Sequence, residues 1–145
     1  MRVNQPVTAV EHLGAFASPL GVRILVENLT SAPTTPEHLI AILQTGHLDR
    51  VGVTLDLGHA HMTVGVMDAI ATLGSHIASL HVHDNHGISD EHLWPGDGTI
   101  DWGAALAALN ALAKPPAAVL EISHTLSAKP EELPDRIQKA FARFE

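Results

Sequence analysis

The chain has 145 residues, 46% of them apolar, with 8 basic against 16 acidic side chains and a formal net charge of −8. It holds no cysteine, which excludes disulfides, thiolate metal sites, iron–sulfur clusters and cysteine nucleophiles. No apolar run approaches the roughly 20 residues of a bilayer span, and the N-terminus lacks the apolar core of a signal peptide, so the expected compartment is the cytoplasm.

Val7, Val10, Leu13 and Ala17 recur at helical spacing, which predicts a helix from Pro6 to Ser18, stopped by Pro19 and Gly21. Val22 to Val26 reads as a short strand ending at Glu27-Asn28. Thr35-Pro36-Glu37 is an N-cap followed by proline at the first helical position, opening a helix to about Gln44. A second strand, Val51 to Leu55, ends at Asp56, and a helix from Val66 to Leu73 stops at Gly74. The third strand, Ile77 to His83, runs into a polar loop through Gly98. Asp101 then caps a helix from Trp102 to Ala113, Pro115-Pro116 breaks it, Ala117 to Ile122 is the fourth strand, and Pro130 to Phe144 the last helix.

A helix followed by four strand–helix units implies an α/β fold, a parallel sheet with right-handed crossovers. A closed eight-unit barrel takes about 250 residues. The chain supplies half of that, so the expectation for residues 1–145 is a single parallel (β/α) half-barrel, the C-terminal half of a TIM-barrel-like fold. Such a half leaves two strand edges and one sheet face without cover. It is therefore expected to pair, either with a second copy or with a missing N-terminal half.

The charge pattern is uneven. Histidine appears 11 times, and seven of these lie between His59 and His92. Residues 51–113 contain seven acids and no Lys or Arg. Such a segment attracts metal ions and repels polyanions.

Glu27, Asp56, His81 and Glu121 each sit late in a different strand or just after it, where barrels of this class gather their active sites. Leu25, Thr54 and Val119 share a face with the strand-end acids that follow them. Three carboxylates and one imidazole make a site suited to Mn²⁺, Mg²⁺, Co²⁺ or Zn²⁺. One strand-end acid is most simply a cap or a salt-bridge partner, whereas four consecutive strands ending this way point to a shared site.

Several segments together resemble the xylose-isomerase-like barrels, a family that includes endonuclease IV and the sugar-phosphate isomerases and epimerases. They are Leu25-Val26-Glu27-Asn28-Leu29, Asp56-Leu57-Gly58-His59, His81-Val82-His83-Asp84-Asn85, Asp90-Glu91-His92, Pro95-Gly96-Asp97-Gly98-Thr99-Ile100-Asp101-Trp102, and Leu120-Glu121. The likeness covers nearly the whole chain but only the C-terminal half of the family's barrel. It implies that Glu27, Asp56, His81 and Glu121 hold one divalent metal. It implies further that His59 contacts substrate in the epimerase branch, or joins Asp90 and His92 at a second metal in the nuclease branch. Two departures stand out. The N-terminal half, with two further nuclease histidines, is absent, and the arginine some ketose epimerases carry six residues after the metal histidine is replaced by Gly87.

The leading expectation is a metal-dependent isomerase or epimerase of a small sugar, keto-sugar or polyol. Glu27 and Glu121 would exchange a proton through an enediolate, Asp56 and His81 would serve as ligands, and His59 would orient a substrate oxygen. His83 lies on the strand face of His81, where it would line the pocket or make a structural hydrogen bond. Asn28 would meet a substrate hydroxyl or brace Glu27. The alternatives are an endonuclease IV-like zinc phosphodiesterase, disfavoured by the missing cations, and an inactive fragment or split subunit that keeps its ligands. The segment predicts no nucleic-acid or membrane partner. Trp94 and Trp102 would cover a sugar ring or pack at the rim, Asp97 reads as a turn residue, and the other histidines, His124 among them, as solvated or helix-end groups.

Overall fold

The chain is described by a computed structural model that covers residues 4–142 apart from residue 32 and residues 124–128. His124 therefore lies outside the described residues. Helix α1 (Asn4–Ala17) leads through a 3-10 turn at Ser18–Leu20 into strand β1 (Leu25–Glu27). There follow α2 (Pro36–Thr45), β2 (Gly52–Asp56), α3 (Leu57–Met62), α4 (Val66–Leu73), β3 (Ile77–Val82), α5 (Trp102–Asn110), β4 (Ala117–Leu120) and α6 (Leu133–Phe141). The strands form one parallel sheet in the order β1-β2-β3-β4. Consecutive strands are neighbours, as the alternating pattern requires.

The caps explain the helix starts. Thr35 accepts from the backbone N–H of His38, with Pro36 at the first helical position, and Asp101 accepts from that of Ala104 at 3.0 Å. Helix α3 is an addition to the expected pattern: the Asp56 carboxylate accepts the His59 N–H at 2.7 Å and starts a helix directly at the end of β2. Several elements are shorter than the hydropathy suggests, β3 by one residue and the last helix by its first turn among them. Strand β1 pairs only over Leu25–Glu27, β4 ends at Leu120, and α5 ends at Asn110 rather than Ala113. At a sheet edge, one neighbouring strand limits how much of an apolar run can pair.

The two faces of the sheet differ. Val53, Leu55, Leu80 and Val82 point outward, are at most 2% exposed, and share one apolar core with Leu39 and Leu43 of α2, Ile70 and Leu73 of α4, and Ala105 and Leu109 of α5. The opposite face carries Thr54, Asp56 and His81 at its centre, while Val119 on β4 is 50% exposed. The register aligns Asp56 with His81, and His81 with Val119 two residues before Glu121. The chemical groups therefore collect at the carboxyl ends of the strands, on the uncovered face. No helix among the described residues is long and apolar enough to cross a membrane.

Candidate metal and proton-transfer site

The four strand-end residues meet. His81 Nδ1 lies 3.1 Å from Glu27 Oε1 and 3.2 Å from Glu121 Oε2, with Asp56 Oδ2 at 3.9 Å. One ligand atom each from Asp56, His81 and Glu121 falls within 4.8 Å of the others, and the same holds for Glu27, Asp56 and His59. Asp56 is fully buried at the base, whereas Glu27 and Glu121 flank the opening. Burial alone would push the Asp56 carboxyl up. Hydrogen bonds from His83 and the His59 N–H, with the nearby imidazoles, outweigh that and hold it below the usual carboxylate range.

A second group adjoins the first. His59 Nε2 and His92 Nε2 each stand 3.3 Å from Asp90 Oδ2, so one carboxylate oxygen sits between two imidazoles. The far nitrogen of each ring is anchored. His59 Nδ1–H donates to the Asn28 carbonyl at 2.9 Å, and His92 Nδ1–H donates to the Glu121 carbonyl at 2.7 Å. That holds both rings with Nε2 turned toward Asp90, the orientation in which a histidine is set as a metal ligand. His92 adopts a left-handed backbone (φ 51°), held by a hydrogen bond from the Ser123 N–H to its carbonyl. Non-glycine residues reach that region at a cost, and the outlier lies within the cluster.

His83 joins the two groups from beneath. It is fully buried, its Nε2 lies 3.0 Å from Asp56 Oδ1 and 3.8 Å from Asp90 Oδ1, and its ring stacks on His92 at 3.9 Å. Burial, the largest influence, lowers its basicity, but the Asp56 carboxylate, Asp90 and the Asp84 backbone together raise it above the ordinary histidine value. The ring packs directly on Gly58, where any Cβ would occupy the imidazole, so α3 needs glycine at this position. His83 has no exposed surface and supports the Asp56 carboxylate, and its Nε2 also lies within 4.8 Å of the ligand atoms of His59, Asp90 and His92.

The Asn28 side chain bonds Asp56 rather than Glu27. Its side-chain amide donates to the Asp56 carbonyl at 2.9 Å, and the Asp56 N–H donates to Asn28 Oδ1 at 2.8 Å. Both ends of the amide are thereby bonded to the neighbouring strand end in a side chain 1% exposed.

The organising role of Asp84 has no counterpart in the sequence reading. Its carboxylate is fully buried and accepts from Asn85 N–H (2.9 Å), Ile100 N–H (3.2 Å), Gly96 N–H (2.8 Å) and Trp102 Nε1–H (2.8 Å). These bonds fold residues 85–101 back over the end of β3, and the Asp84–Leu93 bridge sets His92 beside Glu121. Gly98 packs against Asp84 and the Asn85 backbone with no room for a Cβ. Both tryptophans are packed, at 8% and 6% exposure, and Trp102 is bonded to Asp84, so neither offers an open face to a sugar. A compact cue exists in His83-Asp84-Asn85, followed by Gly96, Gly98 and Trp102, but it acquires meaning only once the loop closes.

Comparison with known proteins agrees with this fold. Inosose isomerase of Bacillus subtilis is 29% identical over 113 residues, 71% of this chain and 41% of the relative. A crystal structure of D-psicose 3-epimerase in the presence of D-fructose superposes with a TM-score of 0.78 at 18% identity, covering 97% of this chain and 54% of the other. The TTHB071 protein of Thermus thermophilus, studied after soaking with ZnCl2, gives 0.73 at 26% identity, covering 98% and 52%. The chain thus spans about half the length, or less, of these proteins. A family model described as the xylose isomerase-like TIM barrel matches residues 3–144, and the chain belongs to that family.

Proposed function

We propose that the chain carries the metal-binding and proton-transferring half of a sugar isomerase or epimerase, acting on a small keto-sugar or polyol. One arrangement carries the reading: Glu27, His81 and Glu121 converge at 3.1 and 3.2 Å above the buried Asp56 carboxylate. Like charges gathered this closely favour proton uptake unless a cation compensates them. Three carboxylates with one imidazole fit Mn²⁺, Mg²⁺, Co²⁺ or Zn²⁺, with Glu27, Asp56, His81 and Glu121 as the holding residues. When bound, such an ion polarises a carbonyl and its neighbouring hydroxyl and acidifies the C–H they share.

The chain's own residues supply the rest. Glu27 and Glu121 come from the first and last strands, so they approach a substrate from two sides, one removing the proton and the other returning it through an enediolate. His59, its Nδ1–H fixed on the Asn28 carbonyl, presents Nε2 to orient a substrate oxygen. Inosose isomerase and D-psicose 3-epimerase, to which the chain is similar, are named for the same class of chemistry.

The test is incubation with Mn²⁺ and ketohexoses in D2O. The reading predicts solvent deuterium at the carbon beside the carbonyl, lost on adding EDTA. If the only activity found were metal-dependent cleavage of abasic DNA, the zinc phosphodiesterase reading would replace it. The His59–Asp90–His92 group favours that alternative, and the absence of Lys and Arg from residues 51–113 opposes it.

A further inference from the structure

We propose that His92 is a positioning residue for Glu121, acting through the hydrogen bond from its Nδ1–H to the Glu121 carbonyl. The inference rests on the proton-transfer role given to Glu121 above.

Glu121 lies one residue beyond the end of β4. The ladder of β4 on β3 closes at Leu120 opposite Val82, and a last bond runs from the Glu121 N–H to the Val82 carbonyl at 3.1 Å. Past that point β3 gives way to the loop, where Asp84 pairs with Leu93. His92, next to that bridge, becomes the neighbour of the outgoing chain. Its Nδ1–H donates to the Glu121 carbonyl at 2.7 Å, and its own carbonyl accepts the Ser123 N–H at 3.1 Å. Glu121 is thus held at its N–H by Val82 and at its carbonyl by His92. Losing the carbonyl restraint lets the chain swing about Val82, and the carboxylate leaves its place 3.2 Å from His81 Nδ1.

The clamping ring is itself fixed. Its face stacks on the buried His83 ring at 3.9 Å with 7° between the planes, and its Nε2 stands 3.3 Å from Asp90 Oδ2. The left-handed backbone (φ 51°) is the conformation in which ring and carbonyl of one residue both meet residues 121–123. A non-glycine residue stays in that region only where its surroundings hold it there. Every one of these contacts lies within the chain itself.

Two substitutions separate the ring nitrogens. His92→Asn puts an amide N–H₂ where Nδ1 stands and tolerates the left-handed backbone. His92→Gln reaches the place of Nε2 but has no donor at Nδ1. With saturating Mn²⁺, deuterium exchange into a ketohexose should stay near wild type in His92→Asn. In His92→Gln kcat should fall on the order of 10²-fold, the cost of about 1 Å of misplacement, with KM and Mn²⁺ affinity little changed. The reverse order would make Nε2 the working atom and overturn the proposal, as would equal losses, or none, in two folded variants. A second measurement needs neither substrate nor a folded variant. Nitrogen-15 spectra of the chelator-stripped wild type should show His92 protonated at Nδ1, and a ring without that proton would overturn the proposal. A wild type that carries the Nδ1 proton but exchanges no deuterium on any ketose would contradict the isomerase reading itself, and the positioning role would fall with it.

Discussion

Glu121→Gln is expected to lower turnover on the responsive ketose by roughly 10²–10⁴-fold, the range lost when a positioned general base is removed. Glutamine keeps the shape of the side chain and one oxygen able to bind a cation, so affinity for Mn²⁺ should fall far less than turnover. Glu121 Oε2 lies 3.2 Å from His81 Nδ1 at the open rim, where a substrate C–H can reach it. Asp56 is fully buried, so Asp56→Asn should act mainly on ion binding. Single-turnover deuterium exchange measured for both variants separates the roles. Near-normal exchange in Glu121→Gln would pass the base to Glu27.

Asp84→Asn is expected to destabilise the fold by about 3 kcal/mol, read by denaturant titration. The Asp84 carboxylate takes four donors, two on each oxygen. An amide in its place turns its own N–H₂ toward two of them and leaves buried donors unpaired. Trp102→Phe removes one donor and should cost less through this network. Burial acts to raise the Asp84 carboxyl, but the bonds from Trp102 Nε1, Gly96, Ile100 and Asn85 outweigh it and hold the group below its ordinary value. Its contribution is therefore complete above the unfolded-state value of about 3.9 and is lost as pH falls through the lower folded value. Acid unfolding of the wild type should be steep in that window, and Asp84→Asn should flatten it.

The central strands are legible in the sequence because β2 and β3 bury Val53, Leu55, Leu80 and Val82 under helices. The strand-end grouping is legible for a related reason. In a parallel sheet the strand ends are collinear with the sequence, so Glu27, Asp56, His81 and Glu121 fall on one rim before any distance is known. What stays hidden depends on bonds between a side chain and a distant backbone. Asn28 braces Asp56 across 28 positions, and Asp84 gathers Gly96, Ile100 and Trp102 from 12 to 18 residues away. No periodicity encodes such contacts. Helix α3 escapes the hydropathy pattern because it is short and its cap, Asp56, is the last residue of β2. The burial of His83 depends on Gly58, whose missing Cβ leaves the space the imidazole fills.

The most direct test of the central claim, that these strand ends form a divalent-metal site, is a melting curve of the chelator-stripped protein with and without Mn²⁺. A site assembled as described should gain about 2.7 kcal/mol at a hundredfold excess over Kd, a rise of roughly 5–10 °C for a domain near this size. The gain should be reversed by EDTA and absent in Asp56→Asn. A melting temperature indifferent to both Mn²⁺ and EDTA in the wild type would contradict it.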